Sequence, residues 1–231
     1  MNRALIVSIL CSLFFCFAIN PSFAESKDFG PDSAVLTNSF FPLQKGDKLI
    51  IVHPESDGRR DYKYYDAAVV STVDGVSCLR INVVDTFNLW FTSFWAAQDS
   101  NGNVYILKFY DTENSEPQLL GKQNAFLFMP AVINVGATIV GDEQVVETGV
   151  TVPQLSTGLG PYTGCIKTVQ DDGDFVFYAP GVGYVKKIAS NNLLRSYELK
   201  EKFHALPGDV DNDNQIGLQE AIHALRIVVG H

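Results

Sequence analysis

The sequence predicts an all-β protein, an antiparallel barrel or sandwich of about ten strands with a short C-terminal appendage. Between residues 40 and 200, short runs rich in Val, Ile, Tyr, Phe and Thr alternate with turn signals, and helical periodicity is scarce. The length of 231 residues suits one domain with such an appendage.

Each expected strand is bounded by residues that favour a chain reversal. Four turns contain residue pairs that tolerate a positive φ or preset φ, as tight reversals require. These turns are Asp74-Gly75, Asn101-Gly102, Asp172-Gly173 and Pro180-Gly181. The expected strands are 48–52, 62–72, 77–85, 87–97, 104–110, 125–129, 144–152, 165–169, 175–179, 184–188 and 194–199.

The expected strand 87–97 is apolar on both faces. Its odd positions include Phe87, Leu89, Phe91 and Trp95, and its even positions include Trp90, Phe94 and Ala96. A strand with one face in water would alternate apolar and polar residues. We therefore expect this strand either to lie between two packed layers or to line an apolar cavity.

A weak internal repeat divides the expected strands into two halves. The matched segments are 42–49 with 130–139, 78–81 with 165–168, 89–91 with 175–178, and 105–108 with 184–187. One interpretation is an internal duplication, in which two five-stranded units close on each other and remove exposed strand edges. The other is chance resemblance between β-strands.

Residues 1–24 have the features of a cleaved secretory signal peptide. Arg3 precedes an apolar run at 4–19, and a small-residue cleavage site ends at Ala24. We expect export to the periplasm or the extracellular space, with no transmembrane segment after cleavage. Neither Cys11 nor Cys16 follows the small residues of a lipoprotein signal, so a lipid anchor is not expected.

The charge of the chain is acidic, with 17 Lys and Arg against 26 Asp and Glu. Cleavage would remove one charged residue, Arg3, and would therefore change the net charge from −9 to −10. This balance argues against nucleic acid or an anionic membrane as the main partner. Cys78 and Cys165 remain after cleavage, and they form either a disulfide or two free buried thiols.

Residues 209–220 carry a pattern that suits Ca²⁺. Carboxylates at positions 1, 3, 5 and 12 of a tight loop supply the oxygen ligands that this ion prefers. The expected ligands are Asp209, Asp211, Asp213, the carbonyl of Gln215 and both carboxylate oxygens of Glu220. The apolar residues that follow at helical spacing are Leu218, Ala221, Ile222, Leu225, Val228 and Val229.

This loop and helix, residues 208–230, resemble one repeat of the dockerin modules. The resemblance implies side-chain ligation by Asp209, Asp211, Asp213 and Glu220, with Gln215 contributing its carbonyl. Asn214 replaces the usual glycine at position 6, and the chain has one repeat where dockerins have two. The resemblance implies a cohesin-like partner; the alternative is that the helix packs its apolar stripe on the β domain.

The three regions are therefore a signal peptide at 1–24, an antiparallel β domain at 25–204, and a dockerin-like calcium loop with its helix at 205–231. The turn at 180–183 and the duplicated strand layout also faintly resemble exported bacterial β proteins of unassigned role. That resemblance implies a fold and no function.

The usual catalytic signatures are absent from the sequence, which has neither Gly-x-Ser-x-Gly nor His-Glu-x-x-His. A glycoside hydrolase needs two facing carboxylates, which Asp66, Asp85 and Glu147 could supply. We expect instead a non-catalytic, exported accessory or ligand-binding protein. Its organic ligand would be an apolar molecule in a β cavity, or a glycan stacked on Trp90, Trp95 and Tyr64. The alternatives are a component of a secreted polysaccharide-degrading assembly, docked through the tail, or a glycoside hydrolase.

Overall fold

A computed structural model describes residues 27–54, 60–86, 90–111, 116–140, 143–190, 192–204, 218, 221 and 222. The expectation of an antiparallel all-β fold is confirmed, since the described residues up to 204 form thirteen strands and one single-turn helix, α1 (Gly121–Asn124). The strands are β1 (Asp47–Pro54), β2 (Arg60–Val73), β3 (Val76–Asp85), β4 (Trp90–Gln98), β5 (Val104–Asp111), β6 (Gln118–Leu119), β7 (Phe126–Met129), β8 (Thr138–Ile139), β9 (Glu143–Val152), β10 (Tyr162–Val169), β11 (Phe175–Ala179), β12 (Gly183–Ala189) and β13 (Asn192–His204).

Every expected strand corresponds to an observed one, and the four expected turns lie between strands. The sequence did not predict β6 and β8, because strands of two residues are too short to show alternation. The Asp74-Gly75 turn has a positive φ at both residues, 49° at Asp74 and 76° at Gly75. Glycine adopts such values at no steric cost.

The strands form one antiparallel sheet in the order β6-β5-β4-β3-β2-β1-β13-β12-β11-β10-β9-β8, with β7 also paired to β5. The first and last strands of the chain lie together in the middle of this order, where Ile51 pairs with Leu199. At the far ends, Val140 N, just after β8, donates to Phe128 O on β7 at 2.6 Å. The sheet therefore curls until its two ends meet at this hydrogen bond.

The strand order agrees with the internal repeat. Residues 78–81 and 165–168 lie on the third strand of each half, and the other matched segments likewise lie on equivalent strands. Gly46 and Gly136 both have positive φ, at 98° and 89°. Gly46 N donates to Ala67 O and Gly136 N to Val145 O, each at 2.8 Å and each to the second strand of its half. These matching local structures favour duplication over chance.

The curled sheet encloses one main core to which both halves contribute. Fully buried members include Ile51, Leu79, Ile106, Ile139, Ile166 and Leu199. The segment before β1 adds Leu36 and Leu43 and closes one end of the sheet, where Asn38 Nδ2 donates to Gly102 O at 3.0 Å. Burial of this apolar surface is the main source of stability for the fold.

A second, smaller core covers part of the opposite face of β3–β5. Trp95 and Ala97 of β4 belong to it, whereas Phe94 and Ala96 face the main core. Strand β4 therefore lies between two packed layers, as one of the two expectations for residues 87–97 required. Residues 87–89 of that expected strand lie outside the described residues.

Cys78 and Cys165 are both free and buried. They belong to different cores, with Cys78 in the smaller one and Cys165 in the main one. Of the two alternatives for this pair, the structure therefore has the buried thiols rather than the disulfide. Burial raises the pKa of the Cys78 thiol to about 12, which keeps it protonated and unreactive. No helix in the described part of the chain has the length and apolarity needed to cross a membrane.

Candidate functional site

The candidate site is the face of β2–β5 that points away from the main core; we call it the outer platform. Residues directly opposite each other on neighbouring strands share a face, so three cross-strand rows can be read from the register. The first row is Tyr64, Val84 and Phe91, the second is Asp66, Asn82, Ser93 and Tyr110, and the third is Arg80, Trp95 and Lys108.

The first row is aromatic and partly exposed. Tyr64 is 37% exposed and Val84 is 40% exposed. The ring of Tyr64 stacks against that of Tyr62 at 5.8 Å, and Phe91 lies 6.3 Å from Tyr110 between ring centroids. Exposed aromatic rings that neighbour one another on a rigid sheet offer a flat apolar surface to a ligand.

The second row supplies hydrogen-bonding groups beside these rings. Ser93 Oγ donates to Asn82 Oδ1 at 2.8 Å. This contact holds the Asn82 amide with its nitrogen directed elsewhere, and that nitrogen has no hydrogen bond to any described residue. The Asn82 side chain therefore presents a donor between the aromatic row and the third row.

The third row places two cations against one indole ring. The Arg80 guanidinium carbon lies 5.2 Å and Lys108 Nζ 4.7 Å from the centroid of Trp95. Trp95 Nε1 donates to Ser71 Oγ at 3.0 Å, and the residue is only 9% exposed. The expectation that a glycan stacks on Trp95 is therefore wrong, because the ring is the buried floor beneath the two cations. Tyr64 is 37% exposed on the platform, and the side chain of Trp90 lies outside what the structure describes.

A buried carboxylate lies in the interior, at the end of the sheet opposite the segment before β1. Glu143 is 2% exposed and accepts hydrogen bonds from Thr168 Oγ1 at 2.7 Å, Gln170 Nε2 at 2.7 Å and Tyr178 Oη at 3.0 Å. Burial raises the pKa of Glu143, and these three donors together with Lys187 oppose the rise. Because all three side chains that it contacts are donors, the Glu143 carboxylate is a buried acceptor with its hydrogen bonds satisfied. These hydrogen bonds connect β9, β10 and β11.

Tyrosines surround this carboxylate. Burial raises the pKa of Tyr178 and Tyr184, and the negative charge of Glu143 adds to the effect. Their rings make an edge-to-face contact at 6.1 Å. The pKa of Tyr65, on the other half of the sheet, is raised in the same way. The interior at this end therefore packs aromatic rings near Glu143, one of which, Tyr178, is hydrogen-bonded to it.

The calcium ligands expected from the sequence, Asp209, Asp211, Asp213, Gln215 and Glu220, lie outside the described residues. In the same region, Leu218, Ala221 and Ile222 are helical, as the apolar spacing predicts. Leu218 is 76% exposed and Ile222 is 41% exposed. The expectation that this stripe packs on the β domain is therefore wrong at these two positions. Within the described ranges, no group of three or more His, Cys, Asp or Glu side chains could hold a metal ion.

The carboxylates considered for a glycoside hydrolase do not come together. Asp66 faces outward beside Asn82, whereas Asp85 is buried on the opposite face and lies 3.7 Å from Lys63 Nζ. Glu147 is exposed on β9, in the other half of the sheet. These three residues therefore form no facing pair.

No family model matches the chain, and no curated protein matches it. Two solved structures are similar to it. A protein from Bacteroides fragilis, described as exported and with a YmcC-like fold, is 16% identical with a TM-score of 0.41; the match covers 71% of this chain and 98% of that one. A protein from Parabacteroides distasonis, described as a lipoprotein, is 16% identical with a TM-score of 0.39 and the same coverage of both chains, 71% and 98%. At these values neither structure assigns the chain to a family or a function.

Sequence reasoning did not find Glu143, Arg80 or Lys108. Arg80 and Lys108 alternate with apolar residues in strands, which is the ordinary pattern of solvated positions. Glu143 stands at a strand start with no local sign of burial. The residue that could have pointed to Arg80 and Lys108 was Trp95, because an indole on a sheet face is a frequent partner for neighbouring cations.

Proposed function

We propose that the protein is an exported, non-catalytic glycan-binding protein, and that the outer platform is its binding surface. The observation that carries the proposal is the row of Tyr64, Val84 and Phe91, which is partly exposed and lies beside the amide of Asn82. A sugar ring has an apolar face and a polar rim, so it complements an aromatic surface that hydrogen-bonding groups border. Rigid strands hold both rows in place without loop ordering, which lowers the cost of binding.

The alternative ligand class, an apolar molecule inside the sheet, has less support. Side chains of the main core occupy the inner face in both halves of the sheet. Nucleic acid is disfavoured by the net charge of −9, because affinity for it depends on neutralising many phosphates. A glycan on the outer face fits the distribution of polar and aromatic groups best.

Export belongs to the same proposal. The signal at 1–24 would deliver the mature chain to the periplasm or the extracellular space, where polysaccharides are found. The protein would act there as an accessory that holds a glycan. Docking of the tail to a cohesin-like partner in a polysaccharide-degrading assembly is a finer form of this role.

Loss of an aromatic ring from the platform should weaken glycan binding. We expect Tyr64→Ala to raise the Kd for a bound polysaccharide at least tenfold, a loss of about 1.4 kcal/mol. Affinity electrophoresis of the mature protein in gels containing each member of a polysaccharide panel would identify the ligand, and calorimetry would then give the Kd. If no member of the panel retards the protein, the proposed function is wrong.

Two valines provide a matched control for this experiment. Val84 and Val146 are both 40% exposed on strands, but Val146 lies on β9, away from the platform. Val84→Ser should weaken binding and Val146→Ser should leave it unchanged. Equal losses from both variants would place the binding surface elsewhere.

We also propose that the loop at 209–220 binds one Ca²⁺. Its support is the sequence pattern, in which Asp209, Asp211, Asp213 and Glu220 occupy positions 1, 3, 5 and 12. Four carboxylates around one divalent ion leave a formal charge of −2, and they repel one another when no ion is bound. A site of this kind with a Kd of about 10⁻⁴ to 10⁻³ M would be filled at extracellular calcium concentrations.

Calorimetric titration of residues 25–231 with Ca²⁺ should show one saturable site. The double variant Asp211→Ala/Glu220→Ala should lose it, since two of the charged ligands are removed. At ten times the Kd, calcium should stabilise the folded protein by about 1.4 kcal/mol, provided that the loop folds with the domain. Absence of both heat and a chelator-dependent melting shift would show that the loop is only an acidic turn.

A further inference from the structure

Arg80 and Lys108 are two cations that have no anionic partner among the described residues of an acidic protein. They lie on either side of Trp95 along the third row of the outer platform, and neither forms an ion pair within the described part of the chain. Arg80 Nη2 makes only a long contact of 3.4 Å to Ser93 Oγ. Arg80 Nε is buried and has no hydrogen-bond partner. Buried donors of this kind are rare and call for an explanation.

Some lysines of the same sheet do form ion pairs. Lys186 Nζ lies 2.9 Å from Glu198, and Lys187 Nζ lies 2.9 Å from Asp174. Ion pairing is not general on this sheet, since Lys167 and Lys200 also form no ion pair with a described residue. What distinguishes Arg80 and Lys108 is that the two cations flank one indole ring. Two cations that flank one indole and form no ion pair with a described residue create a local positive field on a negative protein.

The charged side chain in the neighbouring row does not neutralise this pair. Asp66 lies in the neighbouring row, where it stands opposite Lys48 on β1 and Asn82 on β3. It forms no ion pair with either Arg80 or Lys108. The third row continues on both sides with apolar residues, Val69 at 40% exposure and Leu119 at 66% exposure. The pair is therefore a cationic spot with an apolar border.

This spot and the aromatic row are separated along the strand. Val84 and Arg80 lie four residues apart on β3, a distance of about 13 Å at the usual rise per residue. That distance is longer than one sugar ring, so a ligand that touches both rows is a chain of sugars. Arg80 presents a planar guanidinium, which suits a carboxylate, and Lys108 adds a point charge beside it.

We propose that the outer platform selects acidic polysaccharides, with the carboxylate of a uronic acid residue bound between Arg80 and Lys108 while another sugar ring lies on Tyr64 and Phe91. The inference rests on the proposed glycan-binding function and names its ligand class. It predicts that the third row recognises the charge of the ligand and that the first row recognises a sugar ring by contact.

The test compares polyuronates with their own carboxyl-reduced forms. The probes are polygalacturonate, alginate and hyaluronan, each before and after reduction of the carboxylates to neutral sugars, with chelator present to exclude bridging through calcium. We expect at least one native polyuronate to bind the mature protein ten or more times more tightly than its reduced form. We expect Lys108→Gln and Arg80→Gln each to weaken native binding about tenfold and to weaken binding of the reduced form less, so that the preference for the native polyuronate is lost.

Lys167 offers a matched control. It also lies on a strand with its Nζ over an aromatic ring, 4.1 Å from the centroid of Phe175, but on β10 in the other half of the sheet. Lys167→Gln should bind every probe as the native protein does. Lys108→Arg should retain the preference for the native polyuronate, and thermal melting of each variant would show whether it is folded.

The outcomes separate this inference from the function on which it rests. Equal binding of native and reduced forms, with loss on Tyr64→Ala, would overturn the acidic preference and leave glycan binding in place. Equal losses from Lys108→Gln and Lys167→Gln would overturn the assignment of the anion site. Preference for a sulfated glycan over every polyuronate would overturn the uronic acid assignment and would show that the site binds a sulfate ester. Failure of all native and neutral glycans to bind would overturn both proposals.

Discussion

Replacing Leu199 with alanine should lower the free energy of unfolding by about 2–5 kcal/mol, the usual range for a large aliphatic residue in a core. Leu199 is 1% exposed on β13 and belongs to the main core. It stands opposite Ile51, which is also 1% exposed, where the last strand pairs with the first. The truncation would leave a cavity at the junction of the two halves of the sheet, where neighbouring strands restrict collapse.

Urea unfolding of the mature protein, followed by tyrosine and tryptophan fluorescence, would measure this loss. Leu119→Ala is the matched control, because Leu119 is also on a strand but is 66% exposed. Its replacement should change stability by no more than about 0.5 kcal/mol. Similar losses from the two variants would mean that Leu199 is not enclosed as the fold requires.

Replacing Glu143 with leucine should cost about 2–5 kcal/mol, a large loss for one polar side chain. Leucine fills much of the same space but accepts no hydrogen bond. Tyr178 Oη and Gln170 Nε2 would lose the acceptor that they share, while Thr168 Oγ1 keeps a contact of 3.3 Å to Val176 O. Tyr178 is only 4% exposed, so its hydroxyl cannot turn to water.

The cost of this replacement should depend on pH. Burial raises the pKa of Glu143 above its ordinary value of 4.5, so the folded protein holds the proton to higher pH than the unfolded chain does. The stability linked to this group is therefore complete below pH 4.5 and decreases as pH rises through the raised pKa. The difference between the native protein and Glu143→Leu should narrow across that window.

Unfolding measured between pH 4 and pH 8 would test both the size of the stability difference between the native protein and Glu143→Leu and its change with pH. Asp174 and Glu198 have lowered pKa values and the opposite pH dependence, but both are present in the native protein and the variant, so their effects cancel in the difference. Glu147→Leu, at an exposed position on the same strand, should be nearly neutral at every pH. A difference that widens with rising pH would contradict the raised pKa of Glu143.

The strands and turns could be predicted from the sequence because their signals are local. Alternation over five or more residues identifies a strand, and pairs such as Asp74-Gly75 mark a reversal. The internal repeat could also be recognised in the sequence, and the matching hydrogen bonds of Gly46 and Gly136 support it in the structure. Strands β6 and β8 could not be predicted, because two residues are too few to show alternation.

The candidate site was only partly predictable. Tyr64 was expected to contact a ligand and does lie on the outer platform, 37% exposed. Trp95 was expected to be exposed, but Arg80 and Lys108 from the two neighbouring strands cover it. Glu143 was not expected at all, because its burial depends on Thr168 and Tyr178, which come from two other strands.

The sequence by itself determined where the chain extends, where it turns and which residues alternate along each strand. Only the tertiary structure decided which face of each strand is covered and which side chains meet across strands. The physical reason is that alternation has a period of two whatever the partner, whereas burial and pairing depend on register between distant segments. The cations of the third row meet at Trp95 only because β3, β4 and β5 pair in the observed register.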